Sequence, residues 1–546
     1  MKKHYYYIIG LVLGLLFITS CEDILELTPS NEISSASFFT QEKDLVFAVN
    51  AIYKGLSVGG FGGAGTNRLI LENVTDNALD NHSWNSLYSM ATGTTTSLDG
   101  YVNTFWSTCY TGIQRANRAI EGADGIVDID PELKARLVGE AKFLRAFFYL
   151  DLVSLWGDVP YFTSQIKPEE AIGVTREDKD VIMDAMVQDL TDVAGDLPLS
   201  YTDDVGRVTR GAALALKARI LLYQGKWSEA AAAAKAVMDL DVYSLYPNYK
   251  GLFDYEGRNC SEVIFDYQAL SNAGRSVGLG EGMLIFFEAQ SAGGWSNSTP
   301  TQSLVDDYEC IDGNTTDVSP LFDPDHPYEN RDPRLTQSIL YPGHDWMGGV
   351  YNTIPGATYP GKTIIPGDDL TDGVGAQWNK TYTGYNWLKY VSQQDMAISN
   401  VFDGGLHFIF IRYADVLLMY AEAKIEADDI DQSVYDAIDE VRARPTVEMP
   451  PIPAGQTQAE LRVTVRRERR VELAFEALRL FDIRRWGIAH EVMPGPPKGI
   501  TYEDPVTHEL KMITATNRIF ENPKHYLWPI PLSERDVSKI EQNPGW

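Results

Sequence analysis

Apolar residues recur at helical spacing in the first and last parts of the chain. Leu45, Val49 and Ile52 stand three or four residues apart, and the same spacing recurs in residues 105–120 and 139–156. Side chains at this spacing share one face of an α-helix, so each stretch favours an amphipathic helix with a buried face. We expect these helices to form the frame of the fold.

Two segments have the pattern of a helical hairpin. In residues 211–240 an alanine-rich helical pattern is interrupted by the turn Gln224-Gly225-Lys226, and in residues 412–444 an acidic turn at 428–431 does the same. The length and small residues of these pairs resemble tetratricopeptide repeats, in which neighbouring helix pairs bury each other's apolar faces. The predicted fold class is mainly α, with tetratricopeptide-like helix pairs forming a superhelical frame.

Residues 246–405 have a different composition. They are rich in Gly, Pro, Asn, Asp and aromatic residues, and short apolar runs such as Val263-Ile264-Phe265 indicate strands. Long loops inside an ordered protein are usually functional, so we expect a loop-rich, ligand-binding excursion built on the helical frame. The flanking regions are then an N-terminal helical region at 21–245 and a C-terminal one at 406–546.

The first 20 residues have the pattern of an export signal. Lys2 and Lys3 precede a short apolar stretch at residues 8–17, which is too short to span a bilayer comfortably. The stretch ends in Ile18-Thr19-Ser20-Cys21, which is similar to the lipobox of bacterial lipoproteins. We therefore predict a signal peptide at 1–20, lipidation of Cys21 and a lipid anchor on the mature chain.

The formal net charge of −30 limits the partners of the protein. A surface with this excess of carboxylates repels a phosphate backbone, which disfavours nucleic acid. The eight histidines are scattered, and no acidic residue is singled out in an apolar setting as a general acid would be. We expect no catalytic residue, metal or cofactor, although chance pairs among the 76 acidic residues leave a surface glycosidase as an alternative.

Longer motifs along the chain carry a more specific resemblance. In order, they are residues 25–29, 38–39, 139–160, 206–208, 299–306, 331–334, 412–423, 466–476, 480–486, 529–531 and 542–546. Together they resemble the SusD/RagB family of outer-membrane lipoproteins from glycan-foraging Gram-negative bacteria. The resemblance covers nearly the whole mature chain.

The resemblance implies an α-rich fold, no catalysis and a seat on a SusC-like TonB-dependent transporter. It also implies a lipid-anchored position in the outer membrane, facing the cell exterior. Most family members handle glycans and some handle peptides, so the expected function is capture of an oligo- or polysaccharide for the transporter. The alternatives are an oligopeptide-capturing lid and a structural lid without its own ligand.

Aromatic residues beside amides and carboxylates are the candidates for sugar contacts. Sugar rings offer apolar C–H faces to an aromatic ring and hydroxyl groups to polar neighbours. The predicted ligand-binding residues are Asp76, Asp80, Trp84, Trp295, Asn297, Trp346, Trp378, Tyr385 and Trp387. Because members of the family place their ligand residues variably, composition alone carries these predictions.

Other charged clusters favour structural roles. Arginines in residues 466–485 alternate with acids at three- and four-residue steps, which predicts ion pairs mostly within the helix. Arg145 and Glu140 are expected to form buried pairs that fix helix register. Residues 312–317 have the composition of a calcium loop but lack the later bidentate Glu, so we expect a solvated turn there.

Overall fold

The computed structural model describes residues 38–57, 63–80, 82–83, 85–272, 280–366, 379–398, 400–504 and 507–546. The predicted leader, Cys21, Trp84 and Trp378 lie outside these ranges. The helices are α1 (Glu42–Tyr53), α2 (Ala64–Leu69), α3 (Ser86–Ala91), α4 (Gly100–Ala123), α5 (Pro131–Trp156), α6 (Lys179–Val193), α7 (Arg210–Tyr223), α8 (Trp227–Met238), α9 (Tyr249–Leu252), α10 (Met283–Phe287), α11 (Gln302–Asp307), α12 (Pro333–Ser338), α13 (Tyr413–Glu426), α14 (Gln432–Arg442), α15 (Gln458–Glu472), α16 (Arg479–Arg485), α17 (Ala489–Val492) and α18 (Leu532–Ser538).

Local sequence explains where the two longest helices begin and end. Asp99 and Asp130 cap α4 and α5, because their carboxylates accept hydrogen bonds from backbone N–H groups of the first turn. Helix α5 also starts on Pro131, where a missing N–H breaks no intrahelical bond. It ends before Gly157, whose φ of +74° favours glycine.

The helices stack in sequence order into one array. Helix α4 packs on α1 and α5, α5 on α6, α6 on α7, and α7 on α8. Helix α8 then packs on α13, which also contacts α14 and α15, so the two helical regions form a continuous frame. One large apolar cluster runs through this frame. The prediction of a mainly α fold with tetratricopeptide-like helix pairs is confirmed.

Short strands tie the excursion to both helical regions. The strands are β1 (Ala78–Leu79), β2 (Val263–Tyr267), β3 (Thr299–Pro300), β4 (Ile339–Leu340), β5 (Asp345–Trp346), β6 (Gly349–Asn352), β7 (Ile364–Pro366), β8 (Asn386–Trp387), β9 (Phe408–Arg412), β10 (Lys498–Glu503) and β11 (Leu510–Thr514). β1 pairs with β3, and β2 pairs with β9, both antiparallel. The strand predicted at 263–265 is therefore present, and its partner lies just beyond residue 405.

A buried network of charges, here called the ion-pair lattice, joins α15 to the excursion and to strands β2 and β9. Its members are Arg334, Lys389, Arg412, Arg442, Arg444, Glu262, Glu468, Glu472 and Glu476. The carboxylate of Glu472 accepts hydrogen bonds from Arg412 Nη1 at 2.7 Å, Arg334 Nη1 at 2.9 Å and Arg444 Nη2 at 3.0 Å. Burial alone would raise the pKa of Glu472, but the three arginines hold it well below its ordinary range.

The charged residues of α15 and α5 have ion-pair partners other than those predicted. The charges of α15 pair mainly with other elements rather than within the helix, because several segments pack on α15 at once. Arg145 and Glu140 do not pair with each other: Arg145 bonds Asp189 of α6, and Glu140 accepts a hydrogen bond from Arg207 at 2.9 Å. The structural role of these charges agrees with expectation, but the prediction of intrahelical partners was wrong.

In the part of the chain that the structure describes, no helix is both long and apolar enough to cross a membrane.

Candidate functional site

The candidate site is a solvent-open hollow beside the end of β1, here called the depression. It is shallow, with a cavity volume of only about 20 Å³, and its polar lining residues include Asp80, Tyr88, Tyr382, Thr516 and Arg518. These residues come from the end of β1, from α3, from the segment before β8 and from the segment after β11. Three distant regions of the chain, around residues 80–88, 382 and 516–518, thus meet at one place.

The loop that leads into β1 is fixed from below by arginines. Asp76 accepts hydrogen bonds from Arg479 Nε and Nη2, both at 2.8 Å, and its Oδ2 lies 2.8 Å from Arg470 Nη2. Burial alone would raise the pKa of Asp76, but Arg470 and Arg479 hold it well below its ordinary range. In this structure Asp76 is a buried, charged anchor for the loop, and its carboxylate is engaged by protein groups.

Arg518 fixes the same loop through backbone carbonyls. Its Nη2 donates to the carbonyl oxygens of Asn73 at 2.9 Å and Ala78 at 2.7 Å, and its Nη1 donates to that of Thr75. Burial lowers the pKa of Arg518 to about 10, so the guanidinium remains charged at neutral pH. The depression therefore has a rigid floor with a positive group in it.

A nearly buried carboxylate lies beside the aromatic hydroxyls at the edge of the depression. Asp80 Oδ1 accepts a hydrogen bond from the His82 backbone N–H at 2.8 Å and lies 3.1 Å from His82 Nδ1. The Tyr88 hydroxyl donates to Thr516 Oγ1 at 3.0 Å. Burial, with the nearby Tyr88 and Asp80, raises the pKa of Tyr382, so its phenol stays protonated. Two half-buried rings beside a carboxylate and hydroxyls can stack on a sugar face and bond its hydroxyl groups.

Two of the predicted ligand residues belong to the core instead. Trp387 is fully buried, stacks in parallel on Phe475 with ring centroids 4.2 Å apart, and donates from Nε1 to Ser298 Oγ at 3.2 Å. Tyr385 is also buried, and its hydroxyl donates to Gln302 Oε1 at 2.6 Å. Because β8 runs through the interior, aromatic residues in this loop-like sequence pack against the core. The prediction of ligand contacts by Tyr385 and Trp387 is corrected accordingly.

The remaining predicted residues lie apart from the depression lining. Trp346 is buried in a small apolar cluster of the excursion. The Asn297 side chain is buried, and its backbone N–H donates to the Phe286 carbonyl at 2.7 Å. Trp295 is half-buried and makes edge-to-face contacts with Phe286 and Phe402 at 5.4 and 5.5 Å. Of the described predicted residues, only Asp80 lines the depression, and Asp76 supports it from below.

The sequence reasoning missed Tyr88, Tyr382, Thr516 and Arg518. Tyr382 lies in a bend between the buried Thr381 and Thr383, and no periodic pattern there marks its ring as the one that reaches the surface. Thr516 and Arg518 reach the site only through tertiary packing, and no local pattern marks them.

The sequence contains one phosphate-binding motif that the fold does not support. Residues 356–363 match a phosphate-binding loop, ending in Gly361-Lys362-Thr363. Such a loop must lead from a strand into a helix, but here it connects β6 to β7, and Lys362 pairs with Asp345 at 2.6 Å. The segment therefore matches the motif in sequence but not in structure.

The structure identifies no metal-binding cluster of three His, Cys, Asp or Glu residues within the described ranges. In the loop at 312–317, Asp312 accepts hydrogen bonds from the Asn314 N–H at 3.1 Å and from Ser319 Oγ at 2.8 Å. The Asp312 carboxylate therefore stabilises the turn in which it lies.

Comparisons with known proteins cover nearly the whole chain. The model of the SusD family matches residues 261–546, and a model described as starch-binding and associating with the outer membrane matches residues 29–222. The SusD-like protein P25 of Formosa agariphila is 26% identical over 95% of this chain and 94% of its own length. A SusD-like protein of Bacteroides ovatus is 24% identical over 97% and 95%, respectively.

Solved structures agree with these matches. A SusD-like carbohydrate-binding protein from Bacteroides fragilis superposes with a TM-score of 0.81 at 31% identity, covering 92% of this chain and 99% of that chain. A laminarin-binding SusD-like protein has a TM-score of 0.71 at 24% identity, covering 93% and 100%. At this level of identity, the second comparison shows a shared fold.

Proposed function

Because the chain belongs to the SusD family, we propose that it captures an oligo- or polysaccharide at the cell surface without altering it and delivers it to a SusC-like TonB-dependent transporter. The depression is the proposed capture site. Cys21 is the proposed lipid anchor in the outer membrane. A tether of this kind raises the effective concentration of the protein beside its transporter, so a modest affinity for the glycan suffices.

The observation that carries the proposal is the geometry of the depression. Asp76, Arg470, Arg479 and Arg518 fix the loop at 73–80, so that Asp80 is presented on a rigid base. A preorganised site loses little conformational entropy when it binds, which favours capture of a flexible polymer. Tyr88 and Tyr382 supply the aromatic surfaces.

The names of two related proteins also support carbohydrate binding. The relative from Bacteroides fragilis carries carbohydrate binding in its name, and a more distant one carries laminarin binding. We propose that this chain takes a glycan ligand as well. Trp84 and Trp378 remain predicted ligand residues, and they lie outside the described ranges.

The composition of the depression favours binding over hydrolysis. Glycoside hydrolysis generally uses two carboxylates that flank the bond to be broken. Asp80 is the sole carboxylate among the described residues that line the depression. His82 is one of its partners, and this contact fixes the carboxylate beside Tyr88 and Tyr382.

Affinity electrophoresis through gels that carry a panel of polysaccharides tests the proposal. The chain starting at Glu22 is compared with Tyr88→Ala, Tyr382→Ala and Asp80→Asn. As a matched control, Phe47→Ala removes an aromatic side chain that is 61% exposed on α1. Products are examined afterwards for shortened chains.

We expect one polysaccharide to retard the wild type and the control, and retardation to fall about tenfold or more in Tyr382→Ala because a stacking surface is lost. Shortened products would contradict the non-catalytic proposal. No retardation by any polysaccharide, with retention on an oligopeptide column instead, would replace the glycan by a peptide. No binding of either ligand would favour a structural lid.

A further inference from the structure

Arg484 on α16 is a half-buried arginine whose guanidinium makes fewer hydrogen bonds than that of its neighbour Arg485. Within the described ranges it alone among the arginines has two buried nitrogens, Nε and Nη1, that make no hydrogen bond. Its one hydrogen bond runs from Nη2 to the His525 carbonyl at 3.3 Å. The next residue, Arg485, donates to both oxygens of Glu422 at 2.6 Å each and to Asp482 at 2.9 Å.

The unsatisfied guanidinium lines a narrow cavity between α3, α16, α17 and residues 519–528. The cavity has a volume of about 30 Å³, room for one small ion or water molecule, and most of its wall is apolar, including Met90, Leu480, Met493, Phe520 and Trp546. Trp528 lines it too, and its indole Nε1 makes no hydrogen bond within the described residues. The Arg484 guanidinium carbon lies 5.9 Å from the centre of the Trp528 ring.

No carboxylate of the described chain pairs with Arg484. Burial lowers the pKa of Arg484 to about 9, and the side chain is still charged at neutral pH. The pKa of His525 is lowered by burial and then by Lys524 and Arg484, so this neighbour is neutral and offers no compensation. The Glu521 carboxylate is more than half exposed and lies 3.7 Å from Lys524 Nζ. A buried positive charge without a counter-ion is unfavourable, and the lattice shows that this chain otherwise supplies one.

We infer that this cavity binds a small, weakly hydrated anion such as chloride at Arg484. The unsatisfied groups of the cavity are on Arg484, Trp528 and His525. Arg484 and Trp528 can only donate, and the neutral His525 ring carries its proton on Nε2 because its Nδ1 accepts a hydrogen bond from the Glu521 N–H at 2.9 Å. An anion accepts hydrogen bonds from donors and needs to donate none. A water molecule would have to direct its own hydrogens at a largely apolar wall, which leaves them unsatisfied. The anion also supplies the missing counter-charge.

The cavity shares a wall with the depression. Ala91 of α3 lines both, and the segment after β11 runs from the depression at Thr516 to the cavity at Ile519. An anion at Arg484 would therefore stiffen two of the segments that shape the depression, α3 and the segment after β11. This consequence rests on the proposed function, whereas anion binding itself does not.

Bromide is the probe, because its anomalous scattering distinguishes it from water. Crystals of the chain from Glu22 onward are soaked in sodium bromide, and the melting temperature is followed while bromide replaces gluconate at constant ionic strength. The variant is Arg484→Met, which keeps the bulk of the side chain and removes the charge. Arg462→Met is the control, because Arg462 is a partly exposed arginine that pairs with Glu426 at 2.7 Å.

We expect an anomalous peak in contact with Arg484 and a saturable rise in melting temperature of about 1–2 °C in the wild type and in Arg462→Met. Arg484→Met should show neither effect. Arg484→Lys keeps the charge with fewer donors, and should retain a weaker response if Met at this position fails to fold. An equal response in Arg484→Met, or a peak in crystals without a saturable rise in solution, would overturn the inference.

Discussion

The ion-pair lattice and the depression both gather charged and polar side chains, but they satisfy them in opposite ways. In the lattice, Glu472 is fully buried and three arginines share its two oxygens. In the depression, Tyr88 and Tyr382 are only half-buried, and the Tyr88 hydroxyl meets an exposed threonine. A charge whose partners are all internal fixes the fold, whereas polar groups at an open surface remain available to a ligand.

The comparison also shows how the first region serves the second. Arg470 belongs to the same helix as Glu472, and its guanidinium pairs with Asp76 under the depression. The helical frame therefore positions the loop at 73–80 through charged contacts rather than through apolar packing alone. Rigid sites need support of this kind from the residues around them.

Removing the central carboxylate should give the largest effect. Glu472→Gln keeps the shape of the side chain but leaves Arg334, Arg412 and Arg444 without their shared counter-charge. Breaking a buried ion pair from one side costs about 3–5 kcal/mol, so we expect the free energy of unfolding to fall by that amount. Urea unfolding followed by circular dichroism measures the change as a shift of the midpoint.

The matched control for this variant is Glu229→Gln, which neutralises an exposed carboxylate on α8. A surface change of this kind should alter stability by less than about 0.5 kcal/mol. If Glu472→Gln behaved like the control, the lattice would not be the stabilising network that its geometry indicates.

Glu72, a buried carboxylate near the depression, should change the free energy of unfolding with pH in the opposite direction to Glu472 of the lattice. Glu72 is buried beside the depression loop, and its oxygens accept hydrogen bonds from Asn77 Nδ2 and the Ala477 N–H, both at 3.1 Å. Burial is the main influence and raises its pKa to about 7, because these bonds offset the loss of hydration only in part. The stability that Glu72 contributes is present below its unfolded pKa and is lost as pH rises through about 7.

Glu72→Gln should therefore reduce the loss of stability between pH 5 and pH 8, by on the order of 2–3 kcal/mol. Glu472 has the opposite sign, since its lowered pKa makes its contribution disappear as pH falls into the acid range. Urea titrations at several pH values measure both slopes. Equal slopes in Glu72→Gln and the wild type would show that Glu72 does not titrate in this window.

Local pattern was enough to predict the helical frame. The periodic apolar faces of α4 and α5, and the two hairpins α7–α8 and α13–α14, are visible in the order of the residues because helix formation depends on neighbours three or four positions away. The pairing of β2 with β9 joins segments more than 140 residues apart, and no local signal encodes it. The partners of the buried charges were missed for the same reason.

The candidate site was less predictable than the frame. Composition pointed to the segment around 378–387, but it could not distinguish a ring that meets solvent from a ring that meets the core. Tyr382 lines the depression, whereas Tyr385 and Trp387, three and five residues later, are buried. Aromatic residues suit both roles, and only the path of the backbone decides between them.

The smallest expected effect lies at the rim of the depression, and it tests whether Thr516 positions Tyr88. Thr516→Val keeps the shape of the side chain and removes the oxygen that accepts the Tyr88 hydroxyl at 3.0 Å. Because Thr516 is exposed, stability should change by less than about 0.5 kcal/mol, while affinity for the captured polysaccharide falls by roughly two- to fivefold. Tyr88→Phe removes the other half of the same hydrogen bond. The double variant should therefore be no weaker than either single one in affinity electrophoresis, and additive losses would show that the two hydroxyls act independently.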